Sequence, residues 1–464
     1  MRRSAFAAMH RPIIVALSGG VDSSVAAALV AGQGTTAVHM SNWNAQQDDS
    51  GEASDCLSDR EYRDAQSVAQ HLDIPIQRVR LESEYWVSVF EPYLQGITQA
   101  SQQCSTTNNT WTGNPDVLCN RYVKFDALPD LLRKQGNKDF TLVTGHYARL
   151  WRRDKQEQSA LEEEVAASWP SVSLMDWLRS WGGDASIPLL VSAIDDTKDQ
   201  SYFLAASKGT AFRNVLFPLG DFRKNSSPSN RLSVRALAKQ MDLPTAEKRE
   251  SMGICFVGKK RRFADFVGNY LEEPQRPVQF IDVDSGQPIG DTTTPSHASL
   301  YTTGQGARIS GTRTKYFCIE SSTALNNSVI VCAGTEHPAL YSSWLDLETI
   351  YWWTGVAPLS TATRTSLRVH CRTRHLHPLT PATLHYKNDD KNHPRKKRRL
   401  RIVFDTPVRA VTPGQYAVLY IGLVCLGGGP IQAAERPAAV RAIWEQQQEQ
   451  QQQQQPASST GRGG

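Results

Sequence analysis

The chain has 464 residues, enough for roughly three domains at ~150 residues each. Its 40% hydrophobic and 21% charged composition excludes a disordered or collagen-like chain, and no apolar run approaches the ~18 to 20 residues that a spanning helix needs. The net charge of +5 is unevenly placed: residues 361–410 hold thirteen Lys/Arg against three Asp, so the rest of the chain is mildly acidic.

Residues 1–11 carry Arg2, Arg3 and Arg11, and the first acidic residue is Asp22. A short organelle-targeting leader and a frayed basic terminus fit equally. Ile13 to Leu17 reads as a buried strand, SGGVDSS as a glycine turn and VAAALVA as a helix. Ala37 to Met40 predicts a second strand. Ser58 with Glu61 forms a capping-box pattern ahead of Ala65, Val68, Ala69 and Leu72 at helical spacing, and a third strand follows at Ile76 to Leu81. Phe140 to Thr144 is a further strand ending at Gly145 and His146. Strands alternating with helices predict a parallel sheet covered on both faces.

Residues 151–187 break this rhythm and are expected to form a surface insertion. Arg231 to Met241 predicts a helix in a smaller connecting region. From about Phe280 short β-rich runs with turn signals predict an antiparallel barrel or sandwich, and the Gln-rich end is expected to be disordered.

Between a strand and a helix start, Gly19 and Gly20 let backbone amides wrap an anion, and Ser18 and Ser23 add hydroxyls. Asp22 would repel phosphate unless a metal is bound there. Neither a Walker lysine nor GxGxxG is present. The alternative is an ordinary strand-to-helix turn with a serine cap. SGGVDSS resembles the pyrophosphate loop of ATP pyrophosphatases, which cleave ATP between the α- and β-phosphates and adenylate a carbonyl oxygen.

Eight cysteines, at positions 56, 104, 119, 255, 318, 332, 371 and 425, contain no CxxC pair, which argues against a zinc ribbon or a disulfide framework. Cys119 has Arg121 and Lys124 nearby, and Cys255 has Lys259, Lys260, Arg261 and Arg262; such cations are expected to lower a thiol pKa. Cys318, Cys332, Cys371 and Cys425 sit in apolar strand patterns and read as buried residues. Cys104 reads as idle, and the acidic neighbours of Cys56 argue against a reactive thiol there.

Taken together, SGGVDSS, HMSNW, NPDVLCN, TGHYA, TKDQSYFL, GICFVG, TPGQYAVLY and VCLGGG resemble the tRNA 2-thiouridylases, which put sulfur on the wobble uridine of certain tRNAs. The resemblance runs from about Ile13 to Gly429. It implies a parallel-sheet α/β ATP-pyrophosphatase domain of the adenine nucleotide α-hydrolase type (12–215), a small central domain (216–278), a C-terminal antiparallel β-barrel that helps to hold tRNA (279–440) and a tail (441–464). By the same resemblance, Ala16, Leu17, Ser18, Gly19, Gly20, Val21, Asp22, Ser23, Met40 and Gly145 would line the ATP site. Asn114, Pro115 and Asp116 would meet the target base, with Asp116 in the catalytic set. Cys119 would be the nucleophile and Cys255 the carrier of persulfide sulfur. His146, Lys198, Asp199, Gln200, Arg374, His375 and Gln415 would contact or position tRNA. The implied cofactors are ATP and Mg²⁺ bound with it, with no metal site of the protein beyond a role for Asp22. The implied partners are tRNA and a sulfur-donor protein such as a cysteine desulfurase or relay, with no membrane and a monomeric enzyme.

The sequence departs from the family pattern in TWTGNPD, where TPNPD is common, in TTGQGARI, where bacterial relatives have a GQR-type sequence, and in the insertion. Arg368, Arg372 and Arg374 alternate along a predicted strand and are expected to share a phosphate-binding face. A ligase-type or amidotransferase-type ATP pyrophosphatase and a catalytically idle RNA-binding relative are the alternatives. The former needs no paired cysteines, and the intact loop and both cysteines argue against the latter. The Arg-bearing leader, the bacterial-like domain order and the absence of CxxC pairs favour a mitochondrial enzyme over a cytoplasmic one.

Overall fold

The computed structural model describes residues 11–43, 57–102, 111–152, 184–226, 233–249, 263–271, 276–358, 366–387 and 399–454. Ile13–Ala16 (β1), Thr35–Ser41 (β2), Ile76–Arg80 (β3), Thr141–Val143 (β4) and Val215–Leu216 (β7) form an all-parallel sheet in the order β3-β2-β1-β4-β7. Ile14 packs on one face with Val38, Val79 and Leu142, while Ile13 and Val15 pack on the other with Val21 and Val25. That is why β1 is apolar throughout: helices cover both faces of the sheet. Strand order reverses between β1 and β4, and in such sheets the crevice at the carboxyl ends of the two strands is where ligands bind.

Helix Leu57–His71 buries Ala65, Val68 and Ala69 as their spacing requires. Its capping-box serine is used otherwise: the Ser58 hydroxyl accepts from Arg78 Nη2 at 2.8 Å and lies 3.2 Å from Ser41 Oγ. The helix expected over 231–241 occupies Val234–Gln240, capped by the Ser233 hydroxyl accepting from Ala236 N.

Two β-structures fill the C-terminal half. Pro277–Asp282 (β8), Pro288–Pro295 (β9), Gly306–Ala307 (β10), Tyr316–Ser322 (β11) and Ser328–Ala333 (β12) form a separate five-stranded sheet in which β8 and β12 run parallel. The barrel itself is narrower than the expected 279–440. Tyr341–Leu347 (β13), Ser366–Arg372 (β15), Thr380–Lys387 (β16), Arg399–Arg409 (β17), Tyr416–Ile421 (β18) and Val424–Ala434 (β19) make a six-stranded antiparallel barrel in the order β13-β17-β16-β15-β18-β19, closed by β13 against β19. Tyr351–Trp352 (β14) pairs with β19 off this path.

The segment read as an insertion begins and ends in structure tied to the barrel. Arg149–Trp151 (β5) and Leu189–Val191 (β6) form an antiparallel pair, and β6 joins β19 through Val191 opposite Val424. Trp151 and Ile187 are buried; residues 153–183 lie outside the described residues. Tyr416, Val418, Tyr420 and Cys425 of the barrel share one core cluster with Leu142 and Phe212. Parallel sheet and barrel are thus joined by continuous packing.

The Gln-rich end corrects the sequence reading. Ala438–Gln454 is a helix, and its Val440, Ile443 and Trp444 are buried against Ile281, Ile330 and Cys332 of the five-stranded sheet. Gln451 Nε2 donates to Ala324 O at 3.1 Å and to Asn326 Oδ1 at 3.0 Å. Glutamine is a good helix former, and an apolar i, i+3, i+4 stripe at the start of the helix gives it a docking face.

Candidate active site

The cavity at the switch point measures about 400 Å³ and is lined by Ala16, Leu17, Ser18, Gly20, Asp22 and Ser23 from the loop after β1. Met40 comes from β2, and Thr144, Gly145 and His146 from the end of β4. Gly19 and Val21 serve the loop from behind. Gly19 has φ +74°, and a Cβ there would stand 2.3 Å from Glu61 O; Val21 is buried in the core. A Cβ on Gly145 would come within 2.7 Å of Ser23 N, so this glycine allows the β4 loop to touch the helix start. Ser18 Oγ and Ser23 Oγ lie 3.0 Å apart, and Ser23 Oγ donates to Gly20 O. The helix Val21–Val30 has no side-chain cap, so its first amides are left for a ligand.

Three polar features of this cavity were not legible beforehand. The Lys224 ammonium, almost wholly buried, donates to Asp22 Oδ1 at 2.6 Å, and Tyr147 Oη donates to the same oxygen at 2.8 Å. Lys248 Nζ donates to Gly19 O at 2.8 Å and to Asp64 Oδ2. His39 lines the cavity with Nδ1 3.0 Å from Leu17 O, and burial lowers its pKa. These partners lie 22 to 229 residues apart in sequence, and nothing local marks them. Among the described residues no group of three or more His, Cys, Asp or Glu could hold a metal ion.

Beside the cavity runs a continuous helical stretch, Pro115–Leu118, Cys119–Ala127 and Leu128–Lys134, of which the middle part is π-helical. Asn114 caps it, its Oδ1 accepting from Val117 N at 3.3 Å, and Pro115 occupies the first turn. Asparagine followed by proline is a helix-start signal readable in NPD. Cys119 is buried, three residues after the exposed Asp116. Burial pushes its thiol up to about 11, Lys124 opposes this and Asp116 adds to it. The lowered pKa expected from Arg121 and Lys124 is therefore corrected. Arg121 turns away, stacking on Tyr351 at 3.8 Å from the ring centroid and donating to Ala206 O. Burial within the cleft also raises the Asp116 carboxyl, a rise that its solvent exposure limits.

Gln415 of the barrel reaches this stretch: its Nε2 donates to Thr112 O and Gly113 O, and its Oε1 accepts from Asn114 Nδ2 at 3.2 Å. The unusual TWTG sequence has a packing reason. Trp111 stands where a Cβ on Gly96, Gly113 or Gly414 would fall, so three glycines make room for it between the helix Glu91–Gln102 and the barrel.

His146 and Gln200, expected at tRNA, both line the cavity. The His146 imidazole lies 2.7 Å from Thr144 Oγ1 between Phe125 and Phe217, and burial holds its pKa well below the usual value. Gln200 Oε1 accepts from Tyr147 N. Asp199, also expected at tRNA, is inside the protein. Its carboxylate accepts from Ala193 N, Ser201 N, Ser201 Oγ and Arg372 Nη1, the last at 2.8 Å, and it is 1% exposed. Lys198 is half-buried beside it.

The shared arginine face is likewise corrected. Arg372 is buried in that ion pair, Arg368 is bound bidentately by Asp405, and Arg374 falls after the end of β15, donating to Thr303 O and Thr412 Oγ1. His375 stacks on Phe203 at 4.3 Å between centroids, with Nε2 2.9 Å from Asp199 O. Cys255, with GICFVG, and Arg395 to Arg398 lie outside the described residues, as do Cys56 and Cys104. Cys318, Cys332, Cys371 and Cys425 are buried strand residues with free thiols.

A family model described as "tRNA methyl transferase HUP domain" matches residues 11–259, and one described as "Aminomethyltransferase beta-barrel domain" matches 344–431. The tRNA-specific 2-thiouridylase MnmA of Psychrobacter sp. is 35% identical over 91% of this chain and 93% of its own length. Its counterpart in Acinetobacter baylyi is 34% identical over 92% and 99%. The mitochondrial tRNA-specific 2-thiouridylase 1 of Drosophila melanogaster is 33% identical over 92% and 95%. With a glycine loop at the switch point, a buried cysteine beside it and a closed barrel behind, this chain belongs to the tRNA-specific 2-thiouridylase family.

Proposed function

We propose that the chain is an ATP-dependent sulfurtransferase that replaces the 2-oxygen of a wobble uridine in tRNA by sulfur. The observation that carries this reading is the junction of two sites: the glycine-loop cavity and the helix of Cys119 share one wall, to which Lys124 and Leu128 contribute. ATP fits the cavity through the uncapped helix start, the Gly19–Gly20 turn and the room left by Gly145. Asp22 uses Oδ1 for Lys224 and Tyr147, which leaves Oδ2 for Mg²⁺ brought by the nucleotide. That ion would offset charge on the departing pyrophosphate.

Uridine O2 attacks the α-phosphorus, the bond to the bridging oxygen breaks and pyrophosphate leaves with the electron pair. The terminal sulfur of a Cys255 persulfide, loaded by a sulfur-donor protein, then attacks C2 and expels AMP. The Cys119 thiol then attacks the Cys255 sulfur and the sulfur–sulfur bond breaks; the thiol proton passes to N3 of the departing base, releasing 2-thiouridine and leaving a Cys119–Cys255 disulfide, which a dithiol reductant resets. Asn114, Pro115 and Asp116 face the base, with Asp116 handling its N3 proton. Lys198, Arg374, His375 and Gln415 hold tRNA, while Asp199 positions the segment from within. The chain works as a monomer, and in mitochondria, a location that the name of the Drosophila relative supports.

The test is AMP formation from ATP by the purified chain. It should require tRNA lacking the 2-thio group, and AMP release independent of tRNA would contradict the assignment.

A further inference from the structure

Lys124 stands apart from the other lysines of the site. Lys224 is paired with Asp22, and Lys248 with Asp64 and Gly19 O. Lys124 lines the same cavity, half-buried, beside Leu128, Gly145 and His146, yet among the described residues it makes neither a hydrogen bond nor an ion pair. A partly desolvated ammonium without an anion is costly to hold, and a site that holds one is built for an anion that arrives later.

The backbone explains its position. Lys124 lies five residues after Cys119 within the π-helical stretch Cys119–Ala127. In an α-helix a residue five positions on is turned by about 140° from the first. The wider π turn, bonded i to i+5, brings it back toward the same face, and such turns recur at functional sites. The charge of Lys124 accordingly acts on the Cys119 thiol, the Asp116 carboxyl and the His146 imidazole, although burial sets the direction of shift at each.

We propose that Lys124 is a catalytic residue of the sulfur transfer: its ammonium binds the α-phosphate of the nucleotide in the cavity and holds it beside Cys119 while the uridine oxygen is adenylated. This rests on the function proposed above. As the O2–phosphorus bond forms and the bond to the bridging oxygen breaks, negative charge grows on the non-bridging oxygens. Lys124 stabilises that charge and exchanges no proton. It remains on the phosphate as sulfur attacks C2 and AMP departs with the electron pair of the broken C2–O2 bond. The π turn thus gives one cation access to both halves of the site.

The test compares wild type, Lys124→Met and Lys124→Arg in three measurements: calorimetric binding of α,β-methylene-ATP, filter binding of unmodified tRNA, and single-turnover thiolation at saturating ATP. Lys124→Met should weaken the nucleotide analogue by about tenfold and slow thiolation by about a hundredfold, with tRNA affinity unchanged. Lys124→Arg should recover most of the binding. Nucleotide binding and thiolation within about twofold of wild type in Lys124→Met would overturn the proposal, and so would loss of tRNA affinity with nucleotide affinity intact. Should Lys124→Met not fold, acylation of wild-type Lys124 by a reactive ester decides: the analogue should protect it, and unchanged labelling contradicts the proposal. Absence of thiolation in the wild type sinks the functional reading instead, so the two failures are distinguishable.

Discussion

The two halves of the active site are prepared in opposite ways. On the nucleotide side, buried or partly buried charges are already paired: Lys224 holds Asp22, Lys248 holds Asp64 and the Gly19 carbonyl, and glycines at 19 and 145 fix the loop against its neighbours. On the sulfur side, Cys119 is buried with its thiol pushed up to about 11, and Lys124 has no partner among the described residues. One half is preformed for a polyanion; the other keeps its thiol neutral. A buried thiol held protonated reacts slowly with oxidants and alkylating agents.

Removing either thiol breaks the comparison most severely. Cys119→Ser and Cys255→Ser should each abolish thiolation, a loss of about a thousandfold or more, measured as 2-thiouridine formed in single turnover. Next comes the preformed half. Gly145→Ala places a methyl within 2.7 Å of Ser23 N and should weaken binding of an ATP analogue about a hundredfold, with tRNA binding intact. Calorimetry showing affinity unchanged from wild type would remove the glycine contact from the account.

A third change separates joint from surface. Arg372→Met leaves the Asp199 carboxylate buried without its cation and should lower stability by about 3 to 5 kcal/mol in denaturant unfolding. The salt dependence of tRNA binding should stay that of wild type. A smaller effect follows from the thiol itself. Alkylation of Cys119, followed on its peptide, should be slow at neutral pH and rise only toward about pH 11. Its folded pKa is raised above the ordinary 9, so its contribution to stability is complete below pH 9 and lost as pH rises through about 11.

The smallest expected effect concerns Glu61, which lines the cavity. Burial pushes its carboxyl up to about 7, with Lys248 opposing and Asp64 reinforcing. Ionisation between pH 6 and 8 adds a negative charge facing the nucleotide, so affinity should fall severalfold over that range in wild type. In Glu61→Gln the fall should be shallower; equal slopes would remove Glu61 as the cause.

What could be read from the sequence was local. SGGVDSS sits between an apolar tetrad and an alanine-rich helix, and those few residues place the cleft because strand order and backbone geometry follow from them. Long-range pairings were not readable. Lys224 meets Asp22 across 202 residues and Arg372 meets Asp199 across 173, and neither lysine nor arginine carries a local sign of its partner. The alternation of Arg368, Arg372 and Arg374 suggested a common exposed face, but β15 ends at Arg372, inside the domain junction. Composition misled at the C-terminus, where glutamines that suggested disorder continue a helix anchored by Val440, Ile443 and Trp444. The break in the TPNPD pattern, by contrast, has a packing reason once Trp111 is seen against Gly96, Gly113 and Gly414.

The most direct test of the account is mass spectrometry of tRNA after incubation with the full chain, ATP, Mg²⁺ and a persulfide donor, a cysteine desulfurase supplied with cysteine. Wild type should exchange oxygen for sulfur at the wobble uridine and Cys255→Ser should not; a wild-type product without sulfur, or full thiolation by Cys255→Ser, would contradict the account.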